Sequence, residues 1–124
     1  MGEGRGVTPL RILVVEDDPL IGMLLGELLT EMGHQVCGVE REEAAAVAAA
    51  GAMKPDLLIV DARLGEGSGL RVVDAARLDG RLHHLFTTGD APRVRAARPD
   101  SVVVQKPYDE AILAEAMVRA MAAP

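Results

Sequence analysis

Aromatic residues are almost missing from this chain of 124 residues, which has one Tyr, one Phe and no Trp. Yet 49% of it is hydrophobic, so a core has to be built from Leu, Val, Ile, Ala and Met. A chain of this length forms one domain and can bury such a core. Cysteine is equally scarce: the single Cys37 excludes an internal disulfide and suits a reducing cytoplasm, where it reads as a small buried hydrophobe. Positive charge is short as well. Thirteen Lys and Arg stand against 19 Asp and Glu, a net charge of −6, and no basic stripe of the kind that grips nucleic acid is present. No apolar run is long enough to span a membrane, and the opening residues MGEGRGVTP lack the apolar centre of a signal peptide. Residues 1–9 read as a disordered leader, and residues 10–122 as one domain with no output domain after it.

What the chain does have is a short apolar run that carries an acid at its very end. Leu57, Leu58, Ile59 and Val60 lead to Asp61, with Pro55 before them and Gly65, Gly67 and Gly69 after. Continuous hydrophobicity over so few residues fits a strand covered on both faces, as in a parallel sheet. The acid sits where that strand stops. An aspartate there either caps a loop or marks the carboxyl edge at which open α/β sheets bind ligands.

The remaining elements follow the same scheme. Leu10 to Val15 is an apolar strand running into Glu16, Asp17 and Asp18. Asp18-Pro19 then opens a helix, with Asp as N-cap and Pro at the first helical position. The spacing predicts Ile21, Leu24, Leu25, Leu28, Leu29 and Met32 on its inner side and a stop at Gly33. His34 to Val39 reads as a strand, Glu42 to Ala50 as an alanine-rich helix closed by Gly51, and the stretch from about Ser68 as a helix with Leu70, Val73 and Ala76 on one face. Leu82 to Thr88 and Ser101 to Gln105 read as strands. The last helix runs from about Asp109 to Met121, with Ile112, Leu113, Ala116, Met117 and Ala120 facing inward. Five alternations of strand and helix predict a parallel sheet with helices on both faces.

In a parallel sheet all the carboxyl ends share one edge. That edge would bring together Glu16 and Asp17 from the first strand, Asp61 from the third, Thr88 from the fourth and Lys106 from the fifth. Clustered carboxylates repel unless a cation sits among them. Oxygen donors without His or Cys suit a hard ion, and Mg²⁺ is the usual one where phosphate is handled. An aspartate beside Mg²⁺ can attack phosphorus, while Lys106 and Thr88 offer a charge and a hydrogen-bond donor to phosphoryl oxygens.

Val14-Val15-Glu16-Asp17-Asp18, Asp61 with Gly69 eight residues on, Thr88-Gly89 and Lys106-Pro107-Tyr108 together resemble the receiver domain of bacterial two-component response regulators. The resemblance covers Leu10 to Ala122. It implies a flavodoxin-like doubly wound sheet of five parallel strands in the order 2-1-3-4-5. It also implies that Asp61 is the phospho-acceptor, Asp17 the direct metal ligand and Glu16 the acid that holds the metal through water. Arg63 falls where the family offers a backbone carbonyl to the metal. Thr88 resembles the switch hydroxyl, Lys106 the lysine that pairs with the acyl phosphate, and Lys106-Pro107 a bond that is cis in the family. The partners implied are a histidine kinase or histidine phosphotransfer protein and a downstream protein target, in the cytoplasm. Such a domain is not a conventional enzyme; it catalyses its own phosphorylation and slow dephosphorylation.

Two departures from the family pattern bear on signalling. Val103 stands where the family has an aromatic residue three positions before the lysine, and the interval from Thr88 to Lys106 is short. Phe86-Thr87-Thr88-Gly89 is similar to the Phe-Ala-Thr-Gly signature of an atypical receiver subgroup with a short or irregular fourth helix. Asp18 reads as a helix cap, and His83 and His84 open a strand far from the acid edge. The competing reading is a stand-alone Mg²⁺-dependent phosphohydrolase with an Asp nucleophile, but Arg63 occupies the place of the second acid it needs. A flavin carrier would need aromatic stacking, which the chain lacks.

Overall fold

The computed structural model describes residues 8–79 and 82–123; of the leader expected over residues 1–9, the first seven residues lie outside the described residues. Five strands form one parallel sheet: β1 (Arg11–Val15), β2 (Gln35–Glu40), β3 (Leu57–Asp61), β4 (His83–Thr88) and β5 (Val102–Gln105). Their order is β2-β1-β3-β4-β5, the flavodoxin-like arrangement that the resemblance implies. The helices are α1 (Pro19–Glu31), α2 (Glu43–Met53), α3 (Gly69–Ala76), α4 (Ala91–Ala97) and α5 (Glu110–Ala122).

Strand pleating divides the core in two, because successive side chains point to opposite faces. Leu13, Val15, Leu58, Val60, Phe86 and Val103 point to the face covered by α2, α3 and α4. Ile12, Val14, Leu57, Ile59, Leu85 and Val104 point to the face covered by α1 and α5. The only phenylalanine, Phe86, is fully buried, and aliphatic side chains supply nearly all the rest. β3 lies in the middle of the sheet and is buried along its whole length, so the position of Asp61 is fixed from both sides.

The helices start where side chains satisfy their free amides. Asp18 Oδ1 accepts from the amides of Leu20 and Ile21 at 2.9 and 3.3 Å. Ser68 caps α3, Asp90 caps α4 and Asp109 caps α5. The fourth helix is seven residues long, in keeping with the short one expected, and it buries only Ala91 and Val94.

Several local expectations change. Gly51 does not close α2, which continues to Met53 and ends at Lys54 in the left-handed conformation (φ 49°). Gly51 has open space around it, and the stop comes instead from Pro55, which disfavours a helical residue before it. Ile21 and Leu24 of α1 and Ile112 of α5 are exposed rather than inward. Only a stripe of about 100° faces the sheet, and in α1 it runs through Gly22, Leu25 and Leu29. The loop after Asp61 also contains a small antiparallel ladder, pairing Arg63 with Ser68 and Leu64 with Gly67. Each end of the ladder is only two residues long, too short for a periodicity in sequence.

Candidate functional site

Each residue at the carboxyl edge is delivered by the end of a strand. β1 ends at Val15, so Glu16 and Asp17 follow immediately; β3 ends on Asp61, β4 on Thr88, and β5 stops one residue before Lys106. The parallel register places Thr87 beside Asp61 and Gln105 beside Thr88. Glu16, Asp17, Asp61, Thr88 and Lys106, predicted to meet, do meet. Asp17, Asp61, Arg63, Thr88 and Lys106 line a cleft of about 640 Å³ together with Gly65, Gly89 and Asp90.

Asp61 is 9% exposed and its carboxylate is held at both oxygens. The amide of Arg63 donates to Oδ1 at 3.0 Å, and the ammonium of Lys106 donates to Oδ2 at 2.7 Å. Lys106 also donates to Glu16 Oε1 at 3.0 Å, so one cation bridges two acids. The other Glu16 oxygen accepts from the amide of Asp18 at 3.1 Å. Burial pushes the Glu16 carboxyl above its ordinary value, against the hydrogen bonds from Asp18 and Lys106, with the nearby charge of Asp61 acting in the same direction as burial. For Lys106, burial acts to lower the pKa. The hydrogen bonds to Asp61 and Glu16 outweigh it, and the ammonium is held above the usual lysine range.

Gly69 is required by this arrangement. A Cβ there would collide with the carbonyl oxygen of Asp61 and lie 2.7 Å from Val60 Cγ1. Its amide donates to Ala62 O at 2.9 Å, which draws the start of α3 against the end of β3. On the other side of the cleft, Thr88 Oγ1 accepts from the amide of Asp90 at 3.0 Å, and Thr88 O accepts from the amide of Lys106 at 2.7 Å. The Lys106-Pro107 bond is cis.

Carboxylate oxygens of Glu16, Asp17 and Asp61 lie within 4.8 Å of one another. A donor set made only of carboxylate oxygens suits a hard divalent cation better than zinc or copper. On that chemistry the three residues fit Mg²⁺. Arg63 meets the site through its main-chain amide, which donates to Asp61, while its side chain is exposed.

The residues read as structural behave so. Asp18 is the cap of α1. His83 Nδ1 lies 3.0 Å from Ala120 O and His84 Nε2 lies 2.8 Å from Ser101 Oγ, both at the far end of β4. His84 packs edge-on to Phe86 at 5.2 Å; burial, with the charge of Arg77 adding to it, lowers its pKa to about 4. Cys37 is half-buried against the core rather than fully buried, and its thiol lies 3.4 Å from Ile12 O. The residue sequence reasoning passed over is Gln105, whose side chain ties β5 to the turn after Thr88. The available signal was one polar residue between an apolar strand and Lys106.

A five-stranded doubly wound sheet with an acid cluster, a hydroxyl and a lysine at its carboxyl edge defines a domain of receiver type. The model of the response regulator receiver domain family matches residues 12–117, and the chain belongs to that family. It is similar to the phyllosphere-induced regulator PhyR of Methylorubrum extorquens, with 33% identity over 114 residues, covering 89% of this chain and 43% of that protein. The receiver (REC) domain of the PhyR response regulator of Erythrobacter litoralis, solved by NMR, superposes with a TM-score of 0.81 at 28% identity, covering 91% of this chain and 90% of that one. The anti-anti-sigma factor PhyR of Bartonella quintana superposes with a TM-score of 0.81 at 25% identity, covering 94% of this chain and 48% of that one. The chain therefore spans less than half the length of the curated regulator it resembles. Among the described residues, no helix is long and apolar enough to cross a membrane.

Proposed function

We propose that the chain is a cytoplasmic phospho-acceptor, taking a phosphoryl group onto Asp61 from a phosphohistidine of a histidine kinase or histidine phosphotransfer protein. The observation that carries this reading is the Asp61 carboxylate, set in the cleft, oriented at both oxygens and flanked by two further acids. In the reaction an Asp61 oxygen attacks phosphorus. The P–N bond breaks with its electron pair returning to the imidazole nitrogen, and an acyl phosphate forms.

Glu16, Asp17, Asp61 and the main-chain carbonyl of Arg63 would hold Mg²⁺, which when bound neutralises charge on the phosphoryl oxygens. Lys106, already 2.7 Å from Asp61, stays beside the acyl phosphate as its counter-charge. Thr88 uses its oxygen to accept from Asp90 and keeps its proton to donate to a phosphoryl oxygen. Slow attack by water on the acyl phosphate would return the domain to its resting state. The output is a protein contact or onward phosphotransfer to another histidine. A protein partner is in keeping with the anti-anti-sigma activity named for the relative from Bartonella quintana.

The test is intact mass after incubation with Mg²⁺ and a small phosphodonor. One phosphate adduct is expected, lost in Asp61→Asn and lost without the metal. An adduct as abundant in Asp61→Asn as in the parent would overturn the assignment.

A further inference from the structure

We propose that Gln105 is a positioning residue whose side-chain amide couples the turn after Thr88 to Lys106, so that the hydroxyl and ammonium flanking Asp61 move together. The inference rests on the reading of Asp61 as phospho-acceptor and extends it to how the two sides of the cleft are kept in register.

Gln105 is the last residue of β5 and lies opposite Thr88 in the sheet. Its side chain is on the surface, yet it makes three hydrogen bonds. Oε1 accepts from the amide of Ala91 at 2.9 Å. Nε2 donates to Gly89 O at 2.8 Å and to Lys106 O at 2.9 Å. Val102, Val103 and Val104 precede it in β5 and have no polar side-chain atoms, so Gln105 is the residue of this strand equipped to reach the turn. Fixing an exposed glutamine costs rotamer entropy, which several simultaneous hydrogen bonds offset.

The turn from Thr88 to Ala91 is held by two side chains. Thr88 Oγ1 accepts from the amide of Asp90, and Gln105 takes the carbonyl of Gly89 and the amide of Ala91. Of these two, Thr88 faces the cleft. When its hydroxyl donates to a phosphoryl oxygen on Asp61, a shift of Thr88 is passed to the turn through the amide of Asp90, and Gln105 holds the groups on either side of that residue. A carboxamide is planar, so its oxygen and nitrogen cannot shift independently. Movement of Gly89 and Ala91 is therefore passed to the carbonyl of Lys106, and Lys106 is carried with it. This places at residue 105 a link between the reacting edge and the start of α4.

Two variants separate positioning from simple cohesion. Gln105→Met keeps the length of the side chain and removes all three polar contacts. Gln105→Glu keeps the acceptor for Ala91 but sets a carboxylate oxygen against the carbonyls of Gly89 and Lys106. The full chain is treated with Mg²⁺ and a small phosphodonor. The readouts are the rate of Asp61 labelling by intact mass, amide exchange over residues 89–98 and urea unfolding. In the parent, phosphorylation is expected to change exchange at Ala91 and Lys106 and to shift the Gln105 side-chain NH₂ resonances. In both variants the exchange change is lost and labelling slows on the order of threefold to tenfold. Variants that only unfold more easily, with labelling rate and exchange change as in the parent, would overturn the role of Gln105 and leave that of Asp61 standing. A parent that takes no phosphoryl group overturns both. If neither variant folds, the parent decides: NH₂ resonances unmoved by phosphorylation refute the coupling.

Discussion

Replacing Lys106 with Met tests whether one ammonium holds the acid edge together. The side chain keeps its length and apolar stem but leaves Glu16 and Asp61 without their shared cation. Those two carboxylates are 4% and 12% exposed, against 24% for the lysine side chain. Removing one partner of a buried ion pair costs about 3–5 kcal/mol. Solvent reaches the lysine, which argues for the lower part of that range or less, about 2–3 kcal/mol. For a chain of this size such a loss lowers the melting temperature by about 10 °C.

The same substitution should reverse the balance of metal effects. Without Lys106 the three clustered carboxylates lose their internal counter-charge, so a divalent cation has more repulsion to relieve. Mg²⁺ is therefore expected to stabilise Lys106→Met by more than it stabilises the parent, through mass action on the folded state. Thermal unfolding of both proteins, with and without millimolar Mg²⁺, provides the comparison. A metal-free variant melting within about 2 °C of the parent would show that the lysine does not carry the charge balance. Equal Mg²⁺ stabilisation of the two would refute the shared-cation argument.

Asp17→Asn removes one of the three clustered carboxylates and should weaken Mg²⁺ binding by on the order of tenfold or more, while leaving the metal-free fold as stable or slightly more so; titration calorimetry showing parent affinity would contradict it. Gly69→Ala has no room because the obstacle is the main-chain carbonyl of Asp61, so a loss of about 2 kcal/mol or more is expected, and parent-like urea unfolding would count against that contact. His84 has its pKa lowered to about 4 from an ordinary value near 6.5, so between these values the unfolded chain binds more protons than the folded one. Stability should therefore fall as the pH drops through that window and level off below it, by about 1–2 kcal/mol once partial solvent screening is allowed for. The slope should diminish in His84→Gln, and an unchanged slope would place its origin elsewhere.

Much of the acid edge is legible in the sequence, for a topological reason. Once the strands are parallel, every carboxyl end lies at one edge, and the residue after each apolar run is placed there without knowledge of any distance. Asp61, Thr88 and Lys106 could be grouped on that basis. What resisted reading depends on rotation and on bonds between neighbouring strands. The apolar residues of α1 occupy more of its circumference than the sheet can cover, and sequence alone did not select Leu25 and Leu29 over Ile21 and Leu24. Gln105 is a single polar residue whose meaning comes from Gly89 and Ala91, both brought to it by the pairing of β4 with β5. The end of α2 is hard to read because Gly51 inside the helix looks like a glycine that ends one, whereas the stop lies at Lys54 before Pro55.

The three consecutive acids after β1 show how far one local pattern can diverge in structure. Glu16 turns into the protein, is 3% exposed and meets Lys106 across the sheet. Asp17 joins the cluster with Asp61 and lines the cleft. Asp18 spends its carboxylate on the first amides of α1, while its own amide steadies Glu16. The cap thus does more than start a helix: it fixes the turn that holds Glu16 against the lysine. Asp18→Ala should therefore loosen α1 and the orientation of Glu16 together. Asp18→Asn, which can still accept from the helix amides, should spare both.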